Sequence, residues 1–362
     1  MRLLVDNKIP FFKEYLHKIK NYKELSIEYF TDSDLTNNDC IDADALFIRS
    51  TTKIDTALLS NSSIKFIGSA TSGYDHIEPS IFDCSKYEIF VASGCNASAV
   101  VNWVLSCISL LFFKKLISSS ETIGIVGYGN VGKLLSNILN NLQIKNVIYD
   151  PYMSIGNIRD IMNCNVITVH ASYSKRGEFP SHDLINSNFL KRANTKIIIN
   201  SARGEIVNEN DILENRITYL SDVYKNEQSP NPKLISRCLI ATPHIAGYSI
   251  EAKHKGTLMI LKEFCSVFDL ENTLRNLSNK LEIQNPQSMD NDFLTNQYPI
   301  EFFNNLIDLE KISFEFKESF LKNGISFSNV RNNYELKNDF TGIKRSTKTD
   351  NLRLFINLYK NI

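Results

Sequence analysis

Short apolar runs alternate with stretches of helical periodicity along the first 95 residues. Arg2 to Val5, Ala45 to Ile48 and Ile64 to Ile67 have the length and apolar content of buried strands. Phe11 to Ile19 carries apolar residues at helical spacing, at positions 11, 12, 15, 16 and 19. Strands that alternate with helices predict βαβ units and therefore a parallel sheet.

The alternation continues more strongly after Val100 to Phe113, an apolar stretch that we interpret as a buried helix. It is shorter than the roughly 20 residues that a membrane span needs, so we predict no membrane association. The further strand candidates are Thr122–Val126, Asn146–Tyr149, Val166–His170, Ile197–Asn200, Thr218–Val223 and Leu239–Thr242. Strands separated by helical segments in this way predict a second, doubly wound sheet with helices on both faces.

The pattern changes near residue 270, where Asn, Lys and Ser become frequent. The polar segment 279–297 is typical of a linker or an exposed loop, and Ile300 to Phe314 has the spacing of a helix. The rest of the tail mixes short apolar patches with Asn and Lys. We therefore predict four segments: the first part of a lobe at 1–95, the doubly wound domain at 96–244, a return to the lobe at 245–275 and a small α+β domain at 276–362.

The charge balance limits the class of partner. The chain has 362 residues, with 40 Lys and Arg against 40 Asp and Glu, so its formal net charge is zero. Neutralising nucleic-acid phosphates needs a clear cationic excess, and the balance therefore argues against a nucleic-acid partner. It stays compatible with a small anionic ligand held by two or three positive groups. Hydrophobic residues at 43% and charged residues at 22% argue against a disordered chain.

The seven cysteines fit neither a disulfide framework nor a zinc cluster, because their number is odd and none forms a CxxC pair. Reduced, mostly buried thiols are typical of the cytoplasm, where we expect the protein to work. The N-terminus, MRLLVDNKIPFF, has Asp6 in its apolar run and so lacks the core of a signal peptide. We predict no bound metal.

A glycine pattern at 127, 129 and 132 marks the candidate cofactor site. A β-branched strand precedes it and an apolar-periodic helix follows it, which is the context of a dinucleotide-binding turn. Gly127 allows the tight turn, Gly129 lets the backbone approach a pyrophosphate and Gly132 lets helix and strand pack closely. Asp150 ends the next strand, where a carboxylate accepts hydrogen bonds from ribose hydroxyls and repels a 2′-phosphate. The pattern predicts NAD rather than NADP; the alternative is a glycine turn in some other α/β protein.

Three later segments place chemically active side chains just after predicted strands. Arg203 stands in IINSARGEIVN, Asp222 and Glu227 in LSDVYKNEQSP, and His244 in ATPHIAGYS. The carboxyl ends of parallel strands form the edge at which ligands bind in an open sheet. Taken alone, each residue is more often structural or at the surface. Together, and downstream of the glycine pattern, they favour a catalytic site.

Hydride transfer from an alcohol needs these residue types. A base must take the hydroxyl proton as hydride leaves, and His244 suits this because histidine titrates near neutral pH. Glu227 would bond the other ring nitrogen and fix the tautomer. Arg203 would hold a substrate carboxylate through two parallel N–H bonds and polarise the developing carbonyl. Asp222 would accept from the nicotinamide carboxamide.

The segments IVGYGNVG, NSARGEIV, SDVYKNE and TPHIAG resemble the D-isomer-specific 2-hydroxyacid dehydrogenase family. The resemblance implies an NAD-dependent oxidoreductase with two Rossmann-like lobes: a split substrate lobe and an inserted NAD-binding doubly wound domain. It also implies roles for single residues, which are listed here. Arg203 and Glu227 are expected to be catalytic, His244 to be the proton donor and acceptor, Asp150, Asp222 and Gly247 to contact NAD, and Ser50, Thr71 and Tyr248 to contact substrate.

Other segments are similar to one kind of member within that family. The segments that match this kind of member are IRSTTKI, SATSGYDHI, GCNASAVVNWV and the Tyr after HIAG. The tail segment FSNVRNNYELKNDF resembles its C-terminal dimerisation domain. This narrower resemblance implies a phosphorylated sugar acid as substrate and a homodimer formed through residues 276–362. Two departures stand out: Ala171 and Ser172 follow His170 where the family commonly has His-x-Pro, and Gln228 replaces the Pro that usually follows the catalytic Glu.

Two alternatives remain open at this stage. One is another dehydrogenase of the same family, such as one that acts on 3-phosphoglycerate; the absence of a recognisable regulatory βαββαβ pattern in the tail disfavours it. The other is a protein that binds NAD as a sensor and does not turn it over. A pure binder is free to lose the base or its carboxylate partner, and this chain keeps both His244 and Glu227.

Overall fold

The computed structural model describes residues 1–31, 34–274, 303 and 306–342. They form two compact units. The first contains the described residues of 1–96 together with 249–274, and the second contains Ala97–Tyr248 together with residues 303 and 306–342. Each unit is built on one parallel sheet, as the sequence pattern predicts.

Five parallel strands form the sheet of the first unit. They are β1 (Arg2–Asp6), β2 (Ser26–Phe30), β3 (Ala45–Ile48), β4 (Phe66–Ser69) and β5 (Glu88–Val91), in the order β2-β1-β3-β4-β5. The strands β1 and β3 are buried along their length, and they coincide with the apolar runs of the sequence. The third predicted strand, Ile64–Ile67, lies two residues too early, since β4 begins at Phe66.

Six parallel strands form the sheet of the second unit. They are β6 (Ile123–Val126), β7 (Asn146–Tyr149), β8 (Val166–Val169), β9 (Ile197–Asn200), β10 (Thr218–Ser221) and β11 (Ile240–Ala241). Their order, β11-β10-β9-β8-β6-β7, reverses at β6, whose two neighbours are β7 and β8. Such a reversal opens a crevice at the carboxyl ends of the strands, where ligands bind in this kind of sheet.

Helices cover both sheets. In chain order they are α1 (Phe12–Leu16), α2 (Asn37–Cys40), α3 (Pro79–Phe82), α4 (Ala97–Phe113), α5 (Asn130–Asn141), α6 (Ile158–Met162), α7 (Ser187–Arg192), α8 (Glu209–Glu214), α9 (Pro232–Arg237), α10 (Ile250–Val267), α11 (Leu309–Lys317) and α12 (Phe327–Asn332). The apolar stretch predicted to be a buried helix is α4, and it lies in the core of the second unit. No helix of the described residues is long and apolar enough to cross a membrane.

The tail helices pack against the second unit at the edge of its sheet. The Ser313 hydroxyl of α11 accepts the backbone N–H of Ala241 in the outermost strand β11, at 2.9 Å. Lys317 Nζ donates to the carbonyl oxygen of Cys238 at 2.6 Å. The tail therefore satisfies polar groups of an edge strand that would otherwise face solvent. The polar segment 279–297 lies outside the described residues, and the α+β character expected for 276–362 stays a prediction.

Candidate active site

The turn after β6 can be formed only by glycine at two positions. Gly127 has a φ of 97°, and an ideal Cβ there would lie 2.5 Å from the backbone nitrogen of Ala171. A Cβ on Gly132 would lie 2.0 Å from the carbonyl oxygen of Gly127. Both distances are far below van der Waals contact, so the first glycine serves a tight left-handed turn and the last serves close packing of α5 on β6.

Gly129, between them, borders open space. An ideal Cβ at this position has no described atom within 4 Å. Gly129 is also the N-cap of α5, and glycine has no side chain with which to cap that helix end. A helix N-terminus offers free N–H groups and the positive end of the helix dipole. The open space beside this helix end therefore fits the pyrophosphate of a dinucleotide.

Asp150 follows β7 and is held beside this turn. The backbone N–H of Tyr128 donates to Asp150 Oδ2 at 2.8 Å, and that of Met153 donates to Oδ1 at 3.2 Å. Each oxygen of a carboxylate can accept two hydrogen bonds, so the carboxylate retains acceptor capacity for ribose hydroxyls. Four of the residues predicted to hold NAD, Gly127, Gly129, Gly132 and Asp150, thus lie together at the β6 reversal point.

Asp222 organises the loop that carries the candidate base. Its Oδ1 accepts from Thr242 Oγ1 at 2.6 Å and from the backbone N–H of Ile245 at 2.8 Å, and its Oδ2 accepts from the backbone N–H of Ala246 at 2.8 Å. Burial raises the pKa of this carboxyl to about 6, although attraction to His244 and these hydrogen bonds act in the opposite direction. The carboxylate is therefore ionised at neutral pH, with one acceptor position of Oδ2 left over.

His244 and Glu227 form a close pair. His244 Nδ1 lies 2.7 Å from Glu227 Oε1 and 2.8 Å from Oε2, so the contact fixes the imidazole and directs Nε2 away from the carboxylate. Burial alone would raise the pKa of Glu227, but His244 and Arg331 outweigh it and hold that pKa below its usual value. The side chains are 29% and 27% exposed, which leaves the imidazole accessible to a substrate.

The backbone of His244 is held in an unusual conformation. Its φ is 58°, in the left-handed region that few non-glycine residues adopt. Its N–H donates to the carbonyl oxygens of Asp222 at 2.8 Å and of Thr242 at 3.1 Å. Such strained positions persist where the surroundings over-determine them, and they cluster at functional sites.

Arg203 stands in the turn after β9, and the structure links this turn to the Glu227 loop. A Cβ on the next residue, Gly204, would lie 2.0 Å from the carbonyl carbon of Tyr224. The Arg203 turn therefore lies directly against the backbone that leads to Glu227. The Arg203 side chain is half-buried, and its Nη1 donates to the carbonyl oxygen of Ala202 at 2.8 Å.

The residues predicted to bind substrate lie in different units. Tyr248 belongs to the second unit, next to Gly247, and its hydroxyl accepts from Arg331 Nε at 2.9 Å. Ser50 and Thr71 belong to the first unit, after β3 and β4. Ser50 is exposed, and Thr71 Oγ1 lies 2.8 Å from Ser69 Oγ and donates to the carbonyl oxygen of Gly73 at 3.1 Å.

Arg331 is the site residue that the sequence analysis does not find. It reaches Glu227 and Tyr248 from α12, far along the chain. The signal that could have found it is its place in the tail segment FSNVRNNYELKNDF, which the sequence analysis connects only with dimerisation. Residue spacing could not reveal a contact between positions 331 and 227, because it depends on how the tail packs.

Comparison with known proteins agrees with this geometry. Residues 112–246 match the family described as D-isomer specific 2-hydroxyacid dehydrogenase, NAD binding domain. An erythronate-4-phosphate dehydrogenase from Coxiella burnetii (strain Dugway 5J108-111) is 31% identical over 355 residues, which cover 95% of this chain and 94% of the relative. The enzyme of the same name from Wigglesworthia glossinidia brevipalpis is 32% identical over 366 residues, covering 96% of this chain and 90% of the relative.

Solved structures resemble the fold at lower sequence identity. An NAD⁺-bound 3-phosphoglycerate dehydrogenase from Entamoeba histolytica has a TM-score of 0.62 at 22% identity and covers 74% of this chain and 95% of its own. A D-lactate dehydrogenase from Aquifex aeolicus, in complex with NAD and lactic acid, has a TM-score of 0.56 at 19% identity, with 74% and 96% covered.

The chain belongs to the D-isomer specific 2-hydroxyacid dehydrogenases and, within them, to the erythronate-4-phosphate dehydrogenase family. The predicted α/β fold with Rossmann-like lobes, the NAD cofactor and the oxidoreductase class are confirmed. The roles assigned to single residues and the domain boundaries stay predictions.

Proposed function

We propose that the protein oxidises 4-phospho-D-erythronate to (R)-3-hydroxy-2-oxo-4-phosphobutanoate with NAD⁺, a step of pyridoxal 5′-phosphate (vitamin B6) biosynthesis. The names of relatives aligned over nearly the whole chain support this substrate. The observation that carries the chemistry is the contact of His244 Nδ1 with Glu227, on loops at the carboxyl ends of β10 and β11. This pairing is the arrangement a hydroxyl-directed base needs.

In the proposed mechanism, His244 Nε2 accepts the proton of the C2 hydroxyl. Glu227 stabilises the imidazolium that forms and keeps Nε2 directed toward the substrate. Arg203 binds the C1 carboxylate through parallel N–H bonds and polarises the developing carbonyl. When bound, NAD⁺ supplies the acceptor for the hydride that leaves C2. In the reverse direction His244 returns the proton to the oxygen.

The remaining predicted residues bind NAD and the substrate and orient them. Asp150 accepts hydrogen bonds from ribose hydroxyls, and the N-terminus of α5 at Gly129 faces the pyrophosphate. The left-over acceptor position on Asp222 Oδ2 suits the nicotinamide carboxamide, and Gly247 lies on the same loop. The hydroxyls of the three other predicted residues contact substrate oxygens. These residues are Ser50, Thr71 and Tyr248.

Two further features belong to the proposal. The tail forms the interface of a homodimer, which is supported by its resemblance to a dimerisation domain. The protein works in the cytoplasm, which is supported by the fact that all seven cysteines are free thiols. A buried thiol in a reducing compartment needs no partner, whereas an odd number of cysteines is a liability in an oxidising one.

The test is a comparison of NADH formation from 4-phosphoerythronate and from 3-phosphoglycerate by wild-type protein and by His244→Asn. Asn tolerates the left-handed backbone at this position, so the variant removes the base without adding strain. We expect a preference for 4-phosphoerythronate and a loss of kcat of about 10²–10⁴-fold in the variant. Faster use of 3-phosphoglycerate would overturn the substrate, and undiminished turnover in the variant would overturn the mechanism. If the wild-type protein binds NAD but turns over neither substrate, the result would favour the alternative of a non-catalytic protein that binds NAD as a sensor.

A further inference from the structure

A guanidinium from the C-terminal tail lies between two residues of the proposed active site. Arg331 Nε donates to the Tyr248 hydroxyl at 2.9 Å, and the guanidinium carbon lies 5.3 Å from the centre of the Tyr248 ring. Arg331 Nη1 also lies 3.9 Å from Glu227 Oε2. One side chain of α12 therefore contacts both the carboxylate partner of the candidate base and a predicted substrate-binding residue.

The helix that carries Arg331, α12, packs against Tyr224 in the loop that leads to Glu227. Phe327 is 2% exposed, and its ring stacks edge-on against Tyr224 at 5.7 Å and against Phe316 at 5.8 Å. The Tyr224 hydroxyl in turn donates to the carbonyl oxygens of Ser221 and Thr242, both at 3.2 Å. Aromatic contacts of this kind fix the position of a short helix, so Arg331 is presented from a defined support.

We propose that Arg331 is a positioning residue of the active site, which holds Glu227 against His244 and fixes the orientation of the Tyr248 ring and hydroxyl. The inference rests on the proposed function, because it assigns Arg331 a task in the same site. A cation at this place also favours a substrate that carries both a carboxylate and a phosphate.

The charge of Arg331 acts on a defined set of neighbours. Three groups face Glu227: His244 from the loop after β11, Arg331 from α12, and the backbone of Tyr224 from the same loop as Glu227. Asp222 adds a negative charge that attracts His244. Removing the positive charge of Arg331 favours the protonated form of the His244–Glu227 pair. Because the base must be free of its proton to start the oxidation, activity then requires a higher pH.

The test compares Arg331→Gln and Arg331→Lys with the control Lys322→Met. Lys322 is a tail cation whose side chain is 70% exposed and pairs with Glu318, so this variant changes the net charge of the tail away from the site. Three quantities are measured: kcat and KM for 4-phosphoerythronate across pH, and the NMR titration of the His244 ring without substrate. The ring signal is assigned by its loss in His244→Asn.

For Arg331→Gln we expect a KM increase of about tenfold, and we expect the acid limb of the pH–rate profile and the ring titration to move to higher pH. Arg331→Lys should restore the titration, because the charge is kept, while KM stays raised because Lys cannot reproduce the fixed geometry of the guanidinium. Lys322→Met should match wild type in all three quantities.

A lowered melting temperature in Arg331→Gln, with KM and both titrations equal to those of Lys322→Met, would overturn the proposal and leave Arg331 a structural residue. If wild type does not turn over 4-phosphoerythronate, the proposed function fails, and the ring titration still decides whether Arg331 acts on the pair. If Arg331→Gln does not fold, Arg331→Lys decides: a KM equal to wild type would contradict the proposal.

Discussion

At the scale of single residues, the candidate site combines an unfavourable backbone with favourable contacts. The left-handed φ of 58° at His244 costs free energy, of order 1–2 kcal/mol for a non-glycine residue. Asp222 compensates, because its carbonyl oxygen accepts from the His244 N–H and its carboxylate accepts from the next two backbone N–H groups. One buried carboxylate thus fixes the loop that presents the base.

Asp150 gives a prediction at the same scale. Asp150→Asn removes the negative charge that repels a 2′-phosphate and weakens acceptance from ribose hydroxyls. We expect the ratio of KM for NADP to KM for NAD to fall by about tenfold or more. Steady-state kinetics with both cofactors measures the ratio, and Asp160→Asn, an exposed carboxylate of α6, is the control. An unchanged ratio in Asp150→Asn would contradict the assigned role.

At the scale of elements, the turn between β6 and α5 contains one glycine that we expect stability to require and another that we expect NAD binding to require. The Cβ of Gly132→Ala would lie 2.0 Å from a backbone carbonyl oxygen, so we expect a loss of stability of about 2–3 kcal/mol. Gly129→Ala meets no described atom within 4 Å, and its φ of −77° suits alanine. We expect that variant to fold normally and to lose affinity for NAD, because the methyl group occupies the space of the pyrophosphate.

Thermal unfolding with and without NAD distinguishes the two glycine variants. NAD stabilises the folded protein by an amount that depends on its concentration relative to Kd, about 2.7 kcal/mol at 100 times Kd. Gly129→Ala should keep the wild-type melting temperature without NAD and lose most of the increase with NAD. Gly132→Ala should melt lower in both cases. A normal NAD-dependent increase in Gly129→Ala would show that the pyrophosphate does not lie at this turn.

The elements that the sequence predicts well are those whose pattern depends on local burial. All six strands of the second sheet lie within predicted runs, and the four central ones are apolar on both faces, as is usual for central parallel strands. The edge strands β2 and β5 escape prediction because SIEYF and EIFV each contain a glutamate and are only partly buried. The edge strand β7 is also only partly buried, but its segment NVIY carries no charge. Arg331 escapes prediction for a different reason, since its contacts with Glu227 and Tyr248 arise from tertiary packing alone.

At the scale of the whole molecule, the net charge of zero gives no indication of titratable side chains that are buried, such as His170. Burial lowers the pKa of His170, which follows β8, from 6.5 to about 3. Its Nε2 lies 2.8 Å from Thr168 Oγ1, and its enclosed Nδ1 has no hydrogen-bond partner among the described residues. The side chain is therefore neutral in the folded protein at neutral pH, whereas it titrates near pH 6.5 in the unfolded chain.

The stability of the protein should consequently depend on pH through His170. Because the folded-state pKa lies below the unfolded value, its contribution is present above pH 6.5 and is lost as pH falls toward about 3. Between pH 7 and pH 5 the unfolded state gains a proton that the folded state does not take up. The loss amounts to roughly 2 kcal/mol of the free energy of unfolding at pH 5.

Asp222 works in the opposite direction over part of this range. Burial raises its folded-state pKa from 3.8 to about 6, so folding is favoured as pH falls from about 6 to 3.8. Wild type alone therefore cannot isolate the effect of His170. His170→Gln keeps a side chain able to bond Thr168 but does not titrate, and Asp222 contributes equally to both proteins. Urea unfolding at pH 7 and pH 5 should show that wild type loses about 2 kcal/mol more than the variant. Equal losses would mean that His170 takes up its proton in the folded state as readily as in the unfolded chain.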